Sequence, residues 1–256
     1  MNINIEYITN IGLVRDHNED ALLINEMLLS NISMESSETI RIEADKVLCV
    51  VADGMGGHNM GEVASKFVLG KLKNSMDALC DEASILLKLR EIKSDLDHYA
   101  QENIKYINMG TVIAGVLIIE GKAYLFSIGD CRVYANSFGY ANQLSRDHSL
   151  VYALYDSGEI TYDEIRTHPK KHIVTSAFIA NEDQILESIY IKEIDSDVVK
   201  SGLLILSDGA WEPLETKEIE ECLASKNIVE SLKSKILQID AKDNFSVIYI
   251  KENMNE

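Results

Sequence analysis

Apolar residues gather in short dense runs: Val47 to Ala52, Thr111 to Ile119, Ala123 to Ile128, Leu203 to Leu206 and Phe245 to Ile250. Their length, β-branched content and glycine or polar punctuation predict strands. Glu120-Gly121 separates the second run from the third, so residues 111–128 predict a hairpin; another is predicted through Arg132 to Leu144, turning at Asn136 to Gly139. A helical period appears from Asp81 to Ile104, where Ile85, Leu89, Ile92, Leu96 and Tyr99 line one face. Glu62 to Lys73 predicts a shorter amphipathic helix with Val63, Phe67 and Val68 as its stripe, and Glu215 to Ser225 and Asn227 to Ile239 predict a C-terminal helical block. Antiparallel strands interleaved with helix blocks, without βαβ alternation, predict an α+β layered domain.

A chain of 256 residues, 46% apolar, can bury one substantial core, and a single domain is the simplest reading. The formal charge of −18 repels a phosphate backbone, which argues against nucleic acid as a partner. Cys49, Cys80, Cys131 and Cys222 are scattered and form no C-x-x-C pair, so neither a zinc site nor a disulfide framework is indicated. The start, MNINIEYITN, lacks the basic and apolar regions of a signal peptide, and no run approaches the ~18 apolar residues of a membrane span. These features predict a cytoplasmic protein with no membrane partner.

The informative feature is where the acids sit. Val47 to Ala52 runs into Asp53-Gly54, Leu203 to Leu206 into Ser207-Asp208-Gly209, Ala123 to Ile128 into Gly129-Asp130, and Asp243-Asn244 opens the last strand. One Asp-Gly after a strand is first of all a turn signal. Four such acids, together with Arg15-Asp16-His17-Asn18-Glu19-Asp20, suggest a shared site. A glycine after the acid also lets a backbone carbonyl approach a cation. Carboxylates that converge without cations repel one another, and divalent metal is the compensation. Oxygen donors point to Mg²⁺ or Mn²⁺, and the absence of clustered Cys and His speaks against zinc. A nucleotide loop at Gly54 to Gly57 is excluded, because no Gly-Lys-Ser/Thr follows and an acid begins the loop.

The ordered set Arg15-x-x-Asn18-Glu19-Asp20, DGMGGH at Asp53 to His58, Met109-Gly110-Thr111, Gly129-Asp130-Cys131-Arg132, Ser207-Asp208-Gly209 and Asp243-Asn244 resembles the metal-dependent protein phosphatase family, type 2C, in its bacterial single-domain form. The resemblance spans roughly Ile5 to Ile250. It implies one catalytic domain over 1–256, a four-layer αββα sandwich of two antiparallel sheets flanked by helices, with a flap subdomain over about 147–181. It implies two Mn²⁺ or Mg²⁺ ions: Asp53 bridges them, Asp208 and Asp243 complete the first site, and Glu19 and the Gly54 carbonyl serve the second. Asp20 would hold metal-bound water, and Asp130 with Asp208 would bind a third, weaker ion. Arg15 matches the phosphate-binding arginine, whose planar fork suits two phosphoryl oxygens; a salt bridge to Asp16 or Glu19 is the bland alternative. The implied reaction is hydrolysis of phosphoserine and phosphothreonine in proteins by a metal-bridging hydroxide, carried out by a monomer opposing a bacterial Ser/Thr kinase.

Some positions depart from the family. Met55 stands where some members carry a histidine, which leaves the leaving-group acid unassigned, and His58 is expected to cap a helix or act at one remove. Val112 and Cys131 replace a usual Thr and Ser; a packed, inert thiol is expected at Cys131. Arg166-Thr-His-Pro-Lys170-Lys171-His172 is a basic stretch in an acidic chain, read either as a phosphoprotein-docking patch through Lys170 and Lys171 or as a solvated loop. Two competing functions are a phosphatase of an anti-sigma antagonist and an inactive phosphoprotein-binding relative. Against the latter, Glu19, Asp53, Asp208 and Asp243 are all present.

Overall fold

The computed structural model of the protein describes residues 1–56, 60–239 and 241–253. One sheet contains β1 (Asn2–Asn10), β4 (Glu38–Glu43), β8 (Arg132–Ser137), β9 (Tyr140–Gln143), β12 (Leu203–Leu206) and β13 (Phe245–Glu252), in the order β4-β1-β13-β12-β8-β9. The other contains β2 (Ala21–Ile24), β3 (Met27–Ser30), β5 (Lys46–Met55), β6 (Gly110–Ile119), β7 (Lys122–Ile128) and β11 (Tyr190–Ile194), ordered β11-β7-β6-β5-β2-β3, with β10 (Phe178–Ile179) added to β6. Every pairing is antiparallel. Helices α1 (Gly61–Asn74) and α2 (Glu82–Gln101) cover the second sheet, while α6 (Asp208–Trp211), α7 (Thr216–Leu223) and α8 (Ile228–Ile239) cover the first. This is the expected α+β sandwich.

The central strands read as continuous apolar runs because both of their faces are buried. Val47, Cys49 and Val51 of β5 point into the core between the sheets, and Leu48, Val50 and Ala52 point toward α1 and α2. In β12, Leu203 and Ile205 face the other sheet, and Leu204 and Leu206 face the helices. The Glu120-Gly121 turn has both φ angles positive (51° and 76°), as a tight two-residue hairpin requires, and Phe138-Gly139 makes the second turn the same way (56° and 94°).

Two expectations shift. On α1 the buried stripe is Ala64, Val68, Leu69 and Leu72, with Val63 and Phe67 only partly covered; Phe67 instead packs on Tyr99, at 4.9 Å between ring centroids. Strand β5 also runs on through Asp53 to Met55, so Asp53 lies inside the ladder, paired with Val112, and not beyond its end. The segment expected as a flap holds α3 (Leu150–Asp156) and α4 (Tyr162–Thr167), is pinned by a Ser149–Val174 bridge, and returns to the second sheet through β10. That return is close: a Cβ on Gly110 would lie 2.6 Å from the Phe178 carbonyl oxygen. Helix α5 (Ser196–Ser201) completes the chain order and contributes Val199 to the inter-sheet core.

Candidate metal centre and active site

Register brings the acids together. Ala21 pairs with Ala52, which sets Asp20 beside Asp53 at one end of the second sheet. In the first sheet Leu206 pairs with Val247, so the exit of β12 toward Asp208 and the entry of β13 from Asp243 lie at a common end. Burial, the Asp208, Asp20 and Asp130 charges, and a hydrogen bond within reach of the Asp208 carboxyl all push the Asp53 carboxyl well above its ordinary range. Asp20 is buried and pushed up to about 7, first by burial and then by Asp208 and Asp243. Burial, then Asp208 and Asp147, raise Asp130 in the same way. Asp53, Asp208, Asp20, Asp130 and Asp243 therefore share one field.

Polar side chains hold this cage open. Ser207 Oγ donates to Asp20 Oδ2 at 2.9 Å and accepts from the Ser246 amide at 2.9 Å. Thr111 Oγ1 donates to the Asp53 carbonyl at 2.7 Å. Asn244 Nδ2 donates to the carbonyls of Ile11 (2.9 Å) and His17 (3.0 Å), and its Oδ1 accepts from the Glu19 amide (2.9 Å), which staples the Arg15 to Glu19 loop to Asp243. Gly54 admits no side chain: a Cβ there would meet the Gly61 and Glu19 carbonyl oxygens at 2.4 and 2.5 Å. Glu19 thus lies against the start of α1, where its Oε1 accepts the Gly61 amide at 3.2 Å.

Arg15 is exposed at the lip of the cage and pairs with Asp243 at 2.6 Å, so neither Asp16 nor Glu19 is its direct partner; Glu19 and Asp208 act on it at longer range. Part of the basic stretch faces carboxylates, Arg166 with Glu215 and Lys171 and His172 with Glu212. Lys171 contacts Glu212, His172 lies 3.7 Å from the same carboxylate, and Arg166 donates to the Glu212 and Leu214 carbonyls at 3.1 and 2.7 Å. A cavity of about 250 Å³ is lined by Asp130 and Asp208 together with Arg166, Thr167 and Lys171. Burial pushes the Cys131 thiol up, as expected of an inert core cysteine. His58 lies outside the described residues.

Sequence reading passed over several supports. Trp211 Nε1 donates to the Asp130 carbonyl at 2.9 Å, and the Arg132 guanidinium sits 3.3 Å from the centre of the Trp211 ring. His148 accepts the Gly129 amide through Nδ1 at 3.0 Å and donates its own amide to the Gly129 carbonyl at 2.8 Å, which fixes the residue before Asp130. Burial, then Arg146, hold this imidazole below its ordinary pKa. Below about pH 6.5 the unfolded chain then binds a proton that the folded chain refuses. The contribution of His148 is complete above that pH and is lost as pH falls toward the depressed folded-state value. Urea midpoints between pH 7.5 and 5 should fall more for the wild type than for His148→Gln; equal slopes would reject this role.

The donors fit divalent cations: four or more carboxylates converge around a backbone cradle, and burial first, then their mutual repulsion, raises the pKa values of Asp20, Asp53 and Asp130. Fold and acidic cleft together place the chain among the layered α+β phosphatases. A sequence model of the protein phosphatase 2C family matches residues 36–237, and the chain belongs to that family. The serine/threonine phosphatase stp of Listeria innocua is 26% identical over 263 residues, covering 98% of this chain and 97% of its own. The crystal structure of Stp1 from Staphylococcus aureus matches with a TM-score of 0.78 at 31% identity, over 98% of this chain and 95% of that one. The PstP catalytic domain, solved in complex with two manganese ions, shares the fold with a TM-score of 0.75 at 24% identity, over 98% of this chain and 99% of that one.

Proposed function

We propose that the protein hydrolyses phosphoserine and phosphothreonine in protein substrates, with Mn²⁺ or Mg²⁺ held by Asp53, the Gly54 carbonyl, Asp208, Asp243 and Glu19, and a third ion by Asp130 with Asp208. The observation that carries this is the common field of Asp20, Asp53, Asp130 and Asp208 at one end of the paired sheets, with Arg15 at its lip. When bound, divalent ions there acidify water and neutralise the charge that builds on phosphoryl oxygens. Arg15 presents its fork to the phosphoryl oxygens, exchanging the Asp243 carboxylate for the substrate. Asp20, buried and accepting from the Ser207 hydroxyl, would hold and orient the water in the ion-loaded site. The domain is read as a single catalytic unit over 1–256 with its flap over 147–181. Its place as a cytoplasmic monomer opposing a serine/threonine kinase rests on the family relationship.

Hydrolysis of a phosphothreonine peptide should require added Mn²⁺ or Mg²⁺ and stop with chelator. A chelator-insensitive rate, or no rate with either ion, would overturn the proposal. Lys170 and Lys171 are assigned to protein-substrate docking. Replacing both with Ala should raise KM for a phosphoprotein roughly threefold, in keeping with screened rim charges, and leave KM for a small aryl phosphate unchanged. Equal shifts for both substrates would remove the two lysines from the docking surface.

A further inference from the structure

Beside the acidic cage lies a second group of donors. His17, Glu19 and Glu62 each offer one ligand atom, and these atoms all lie within 4.8 Å of one another. Two independent observations single the group out. His17 Nε2 and Glu62 Oε2 are sealed from solvent, yet among the described residues neither has a hydrogen-bond partner. His17 Nε2 is only 3.4 Å from Glu19 Oε1, but without the geometry of a hydrogen bond. Buried polar atoms left unpaired are costly, and both belong to residues of one donor cluster that a shared partner would satisfy. The backbone also prepares the place. A Cβ on Gly61 would lie 2.8 Å from the Glu19 carboxylate, so only glycine lets Glu19 rest at the start of α1 beside Glu62.

We propose that His17 Nε2 and Glu62 Oε2 join Glu19 as ligands of one transition-metal ion, so that the Glu19 end of the centre selects Mn²⁺ over Mg²⁺. Adjacent ligands at about 2.1 Å from an ion sit about 3 Å apart and opposed ones about 4.2 Å apart. The cluster therefore needs to tighten by less than an ångström or so to close on a cation. An imidazole nitrogen suits first-row transition ions, whereas Mg²⁺ keeps oxygen ligands and several waters. The inference deepens the metal-dependent reading above and rests on it.

Pulsed EPR tests it on the full chain, stripped with chelator and reloaded with Mn²⁺. The wild type should show the modulation of a directly coordinated nitrogen-14, and His17→Gln should lose it. Mn²⁺ affinity should fall about tenfold or more in both His17→Gln and Glu62→Gln, while Mg²⁺ affinity in His17→Gln should barely change. No nitrogen coupling in the wild type, coupling that survives in His17→Gln, or wild-type Mn²⁺ affinity in Glu62→Gln would overturn the assignment. The wild-type spectrum decides by itself if a variant fails to fold. Mn²⁺-dependent phosphopeptide hydrolysis without nitrogen coupling would sink this inference and leave the proposed function standing, whereas absent hydrolysis would sink the function.

Discussion

Asp53→Asn and Asp208→Asn should each lower phosphopeptide hydrolysis by on the order of a thousandfold or more while raising the thermal midpoint of the metal-free protein. Both effects have one cause. The two carboxyls lie in the same field and burial raises both, so without cations each charge is opposed by its neighbours. A neutral amide of the same shape relieves that repulsion, and each kcal/mol relieved moves the midpoint by about 2–4 °C in a domain of this size. The same change removes charge from the metal cage, where the ions supply several kcal/mol of transition-state stabilisation, and each 1.36 kcal/mol is a factor of ten in rate. The sign should reverse with Mn²⁺ present, because ions that bind only the folded state stabilise it by mass action. Differential scanning with and without Mn²⁺, beside a phosphopeptide assay, measures both. An Asp53→Asn protein less stable than wild type in chelator would contradict the like-charge account.

Asp147→Ala should cost about 3–5 kcal/mol of stability, a loss readable as a reduced urea midpoint. Arg132 and Asp147 are almost wholly buried, with side-chain exposures of 7% and 3%. Arg132 Nε and Nη2 reach both carboxylate oxygens at 2.7–3.1 Å, and Gln143 donates to the same group at 2.8 Å. Removing the carboxylate strands a guanidinium that also donates to the Tyr134 hydroxyl at 3.1 Å. Paired charges out of water are worth little net, but one left alone is expensive. Arg132→Met combined with Asp147→Leu should therefore recover most of the loss. The protein has one tryptophan, and Arg132 lies against its ring, so Trp211 fluorescence should report the single variant directly. A double variant as unstable as Asp147→Ala would show that shape, not uncompensated charge, carries the effect.

Strand runs at Val47 to Ala52 and Leu203 to Leu206, the 111–128 hairpin and the long helix from residue 82 were legible because each depends on local periodicity and turn chemistry. The rotation of α1 was not, since Val63 and Phe67 lie at the margin of the buried stripe and the Tyr99 ring takes up Phe67. Arg15 showed its charge in sequence but not its partner, because Asp243 is 228 positions away. His17 was visible only as a neighbour of Glu19. Its meeting with Glu62 depends on how α1 docks against the loop before β2.

The alternation of the strands, the identity of the acids and their attachment to rigid elements are properties of neighbours along the chain, so the residue pattern alone specifies them. Which end of each strand shares a cleft, which cation faces which acid, and the placing of an imidazole among the carboxylates arise only when the chain is folded. Those are fixed by antiparallel register and by close glycine contacts between segments far apart in sequence, and no local pattern encodes them.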